Sequence, residues 1–168
     1  MKKVMIVILI IFTAYCKKDI FDSQNYQKEI SSIYVYHSSF GIKDTEYKID
    51  LANCSLWEFF IYDYRNYTPR DADEENEGFL FVSNLPEEKV QNFIRESARH
   101  GFTHWKSNYY NDNIMDGHQW GITIFFADGT NQKISGSNAY PNTWDKLKKD
   151  FEDLTGINIL QLDSDWLE

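Results

Sequence analysis

A chain of 168 residues has room for one ordinary domain, and an aromatic content of 17% supplies ample material for a core, which excludes disorder throughout. The formal net charge of −9 repels phosphate backbones and sets general nucleic-acid binding aside. Only Cys16 and Cys54 are present, so at most one disulfide is available, and only if both stay unmodified and within bridging reach.

Residues 1–16 read MKKVMIVILIIFTAYC: two lysines, an apolar run from Val4 to Phe12, then Cys16. Such a run matches the hydrophobic region of a signal peptide and falls short of a spanning helix, which needs about 20 apolar residues. The segment resembles a bacterial lipoprotein signal, cut just before a cysteine that receives a diacylglyceryl anchor. It departs from that pattern at Thr13, where Leu is preferred, and at Tyr15, where a small residue is preferred. The resemblance implies a signal over residues 1–15, lipidation of Cys16, and a membrane-anchored location in the cell envelope, facing the periplasm or the exterior. Residues 16–30 are polar and mixed, suited to a tether. Cys54 is then a single thiol, read as a small half-buried residue because no flanking side chain would stabilise a thiolate.

Residues 31–168 read as a single α+β domain. From Ser32 the texture has period two: Ile33 and Val35 alternate with Tyr34 and Tyr36, and Tyr47, Ile49 and Leu51 alternate with Lys48 and Asp50. A third run, Leu56 to Tyr64, carries aromatics on both faces. Residues 70–77 hold five acids in eight positions and read as a solvated loop, with a cation site or a handle for a basic partner as the functional alternative. Pro86, Glu87 and Glu88 open a helix whose stripe is Val90, Phe93, Ile94 and Ala98 and whose stop is Gly101. Trp120, Ile122, Ile124 and Phe126 form one apolar strand face leading into Asp128-Gly129, which predicts a type I′ hairpin. A second helix is expected from near Pro141, with Trp144, Leu147, Phe151 and Leu154 on one face and a stop at Gly156. The tail from Ile157 to Trp166 suits a short edge strand. Strands, helix, hairpin, helix lacks β-α-β alternation, so the expected fold is a twisted antiparallel sheet of six or seven strands with both helices on one face.

The connection from Gly101 to His118 is long for a compact domain, and long connections are often functional. His104, Trp105, Tyr109, Tyr110, Asp116 and His118 are its candidate binding residues, with rings and carboxylates suited to a peptide or saccharide. The alternative is a lid of rings folded back over the sheet. Metal patterns fail on spacing. An EF-hand loop from Asp112 would need oxygen ligands where Ile114 and Thr123 stand, and Gly101 breaks the helix that would align His100 with His104. No nucleophile elbow, phosphate loop or dinucleotide fingerprint occurs. No metal, cofactor or catalytic residue is therefore expected.

Asp116, Gly117, Trp120, Asp128, Gly129, Gly136, Asn138, Tyr140 and Pro141 together resemble a loosely defined group of small bacterial domains of unassigned function. That resemblance implies a fold and carries over no catalytic residue. The expected function is a non-enzymatic binding or structural accessory domain. Two alternatives stand beside it: an immunity-type inhibitor whose acidic surface covers a basic toxin or enzyme, and a hydrolase using carboxylates near residues 101–118.

Overall fold

The computed structural model describes residues 28–39, 42–59, 78–114 and 117–160. In chain order the elements are β1 (Ile30–Ser39), β2 (Ile42–Asp50), β3 (Ser55–Phe59), β4 (Phe79–Asn84), α1 (Glu87–Arg99), a 3₁₀ turn at Phe102–His104, β5 (Asn108–Tyr110), β6 (Gln119–Phe126), β7 (Asn131–Ser137) and α2 (Trp144–Thr155). The strands form one seven-stranded sheet in the order β4-β3-β2-β1-β6-β7-β5. All pairs are antiparallel except β5 with β7, so the sheet is mixed rather than purely antiparallel. The exception comes from the long connection after α1. Three of its residues lie alongside β7, a stretch too short to show period two in the sequence.

Register explains the core. Ile33 faces Ile124 and Ile49, Val35 faces Ile122 and Tyr47, Ile49 faces Leu56, and Ile122 faces Ile134. These side chains share one face of the pleat, which the sequence alternation requires. That face and the helical stripes Val90, Phe93, Leu147, Phe151 and Leu154 form one contiguous buried cluster. The two helices also pack on each other, with the rings of Phe93 and Phe151 5.0 Å apart. Full burial of each such side chain is worth about 1.5–3 kcal/mol.

Local chemistry departs from expectation in four places. Among the non-glycine residues described, only Cys54 and Asn138 have positive φ, so Asp128 does not. Gly129 alone is left-handed there (φ 81°), Gly129 N–H donates to Phe126 O, and Phe126 N–H donates to Thr130 O. The hairpin therefore closes by a type I turn with a glycine bulge, not a type I′ turn. Asp128 favours this arrangement because its carboxylate accepts from both the backbone N–H and the hydroxyl of Thr130. Pro86 stands at the N-cap of α1 rather than inside its first turn, with extended backbone (ψ 130°). α2 begins at Trp144, three residues after Pro141, because 141–143 form a turn closed by Trp144 N–H to Pro141 O. Finally, residues 157–160 are not strand: Ile159 and Leu160 bury into the core from a turn, and 161–168 lie outside the described residues.

Candidate functional site

Gly136, Tyr140 and the chain between them converge on the indole of Trp120, while Asp128 and Gly129 of the same pattern close the far end of the β6–β7 hairpin. Trp120 is fully buried on β6, directly opposite Gly136 on β7, and any side chain on Gly136 would overlap the indole ring. Its Nε1 donates to Ala139 O at 3.0 Å, Tyr140 stacks on it at 6.2 Å, and Trp144 meets it at 4.4 Å. Asn138, left-handed at φ 52°, donates its N–H to His118 O and accepts His118 N–H on Oδ1 at 2.8 Å. The part of the pattern around Trp120 therefore builds a junction between the start of β6, the end of β7 and the approach to α2. Asp116, which precedes it, lies outside the described residues, as does Cys16.

Among the described residues, the candidates from the long connection do not share one surface. Trp105 is buried, its ring 5.3 Å from Phe102 and 6.1 Å from Trp144, and its Nε1 donates to Thr143 Oγ1 at 3.0 Å. Tyr109 is half-buried against Trp120, and its hydroxyl accepts Lys106 N–H. Those two rings cover the core. Tyr110 is 67% exposed at the far edge of the sheet, and His104 is exposed beside Thr103. His118 is half-buried near His37, the ring centroids 5.7 Å apart. Tyr140 Oη lies 3.2 Å from its Nδ1, and its Nε2 is buried with no hydrogen-bond partner among the described residues. Burial, and then the neighbouring His37 and Lys148, pull its pKa down to about 4, so the ring is neutral near pH 7.

A second histidine pair was not visible in the sequence. His100 Nδ1 lies 2.7 Å from Asp150 Oδ2, joining the end of α1 to the middle of α2. Burial raises the Asp150 pKa while the His100 hydrogen bond opposes the rise. Histidine with a buried carboxylate is a pairing that catalysis uses. Here the adjacent hydroxyl, Thr143 Oγ1, is committed to His100 O and to the Trp105 indole, so the group acts as a clamp between helices. Fifty residues separate the two partners, and nothing local signals such a pair. Cys54 sits left-handed in the turn before β3 and packs its half-buried side chain against the core. Among the described residues no group of three or more His, Cys, Asp and Glu side chains is placed to hold a metal ion. No described helix is long and apolar enough to cross a membrane.

The sheet face turned away from the helices carries the alternate residues. Tyr34 and Tyr36 of β1 lie in register with Lys48 and Glu46 of β2, which lie opposite Trp57 and Phe59 of β3. Those in turn face Phe81 and Phe79 of β4. Edge-on contacts link Trp57 to Phe81 at 5.4 Å and Tyr34 to Phe79 at 6.1 Å. The row ends in the open at β4, where Leu80, Phe81 and Val82 are 61%, 52% and 39% exposed. The place of β4 at the edge follows from the sheet order.

Comparison with protein-family models, with curated proteins and with solved structures finds no match to this chain.

Proposed function

We propose that the chain is a non-enzymatic binding domain, held at the cell envelope by a lipid on Cys16, that engages a protein partner through the β4 end of its sheet. One observation carries the reading: three consecutive apolar residues, Leu80 to Val82, are exposed on the outer strand. Single exposed apolar residues are ordinary, whereas three in a row along an outer strand leave both faces of that edge apolar, a surface suited to an interaction. The charged start, short apolar run and Cys16 support the anchor. Capture from detergent-solubilised envelope tests the reading. Wild-type protein is expected to retain a saturable, stoichiometric partner that the double variant Leu80→Ser, Phe81→Lys loses while its melting temperature is unchanged. Equal capture by both proteins would remove β4 from the binding surface.

A further inference from the structure

We propose that His37 and His118 hold a single divalent ion of the zinc class between their rings, with water completing its coordination. The site is separate from β4 and does not depend on the reading of that strand.

Strand pairing assembles it. His37 lies directly opposite Trp120 across β1 and β6, and His118 stands two residues before Trp120. The two imidazoles are therefore diagonal neighbours, a spacing that aromatic side chains bridge. Their ring centroids are 5.7 Å apart. A ring nitrogen bound about 2.0–2.1 Å from zinc puts its ring centre roughly 3.2 Å from the ion, so two rings at tetrahedral or wider angles stand about 5.2–6.4 Å apart. The observed separation falls inside that interval. The two residues are distant in sequence, so no ligand spacing announces them.

His118 is prepared as a ligand. Asn138 holds its backbone from both sides, donating its N–H to His118 O and accepting His118 N–H on Oδ1. Any side chain on Gly117 would overlap that amide. The ring Nδ1 lies 3.2 Å from Tyr140 Oη, and an Nδ1 proton donated to that oxygen leaves the lone pair on Nε2. Nε2 is buried with no hydrogen-bond partner among the described residues. A buried acceptor left unpaired is costly, and a metal ion satisfies it. Burial, with His37 and Lys148 nearby, pulls the ring pKa down to about 4, so no proton competes for Nε2 near pH 7.

Ligand type selects the ion. Imidazole suits zinc and similar transition ions, whereas magnesium and calcium take oxygen ligands. Among the described residues no third His, Cys, Asp or Glu completes a set with these two, so the remaining positions fall to water. Lys148 acts on the same ring from α2 and opposes a second positive charge beside it, so the ion is held reversibly.

The probe is zinc titrated into the full chain after chelator treatment, with magnesium as the comparison. An ion that binds only the folded state raises the melting temperature. Zinc is expected to do so with a single ion per chain, and magnesium is not. In nuclear magnetic resonance the imidazole signals of His37 and His118 are expected to shift at the same zinc concentration. His37→Gln and His118→Gln are each expected to weaken binding about tenfold or more, and Tyr140→Phe, which keeps the ring and removes the oxygen, by a smaller factor. Lys148→Ala is expected to tighten it. Zinc that leaves both imidazole signals of the wild-type chain in place would overturn the proposal and assign Nε2 to a water. Equal melting shifts with zinc and magnesium, or with zinc in the wild type and both histidine variants, would assign the effect to acids elsewhere and overturn it as well.

Discussion

Trp105 reaches from the connection after α1 to the N-cap of α2, donating its indole N–H to Thr143 Oγ1 at 3.0 Å while its ring packs on Phe102 and Trp144. Two residues with no sequence relationship thereby tie the long connection to the second helix. Thr143 extends the tie to α1 through its hydrogen bond to His100 O.

Replacing Trp105 by Ala is accordingly expected to cost about 3–5 kcal/mol, in the range of buried Trp and Phe truncations. Tyr110→Ala, at an exposed position, is expected to stay within about 0.5 kcal/mol of wild type. Denaturant midpoints of the two variants check this. Equal small effects would place Trp105 outside the core.

Ile124 lies between Ile33 on β1 and Gln132 on β7 in a fully buried position. Ile124→Ala is expected to lose about 2–5 kcal/mol, since the helices covering that face close only partly around a lost side chain. An unchanged unfolding midpoint would turn the face outward.

The sheet, both helices and the apolar face were legible because period two and period 3.6 survive in single stretches such as Trp120 to Phe126. What escaped depends on pairing between distant residues. β5 is three residues long and owes its existence to Ser135, Gly136 and Ser137 across the gap. The inward turn of Trp105 depends on Thr143, and the open position of Leu80 and Phe81 depends on the order of strands. The Asp-Gly signal announced the hairpin, but the choice between turn types rested on Thr130, which satisfies Asp128 without positive φ.

His118 gives the fold a pH dependence with a definite sign. Its pKa falls from the ordinary 6.5 to about 4 in the folded chain, so the unfolded chain binds the proton first. The contribution to stability is fully present above 6.5 and is lost as the pH falls from 6.5 toward 4. Solvent on the open side of this half-buried ring reduces the total to on the order of 1 kcal/mol. In His118→Gln that slope should flatten between pH 6.5 and 4 relative to wild type. The same slope in both proteins would assign the loss to other groups.

The proposed anchor predicts that a fatty-acid analogue labels the wild-type chain in cells and that Cys16→Ser is not labelled. Cys54→Ser should label like wild type, because Cys54 is packed against the core. Equal labelling of wild type and Cys16→Ser would withdraw the anchor.

The central claim is that the domain meets its partner at β4, and photo-crosslinking in intact cells tests it most directly. A photoreactive residue replaces Phe81 in one strain and the exposed Lys146 of α2 in another. A discrete crosslinked protein from position 81, and none from position 146, is the predicted result. The same crosslinked protein from both positions, or from position 146 alone, would contradict it.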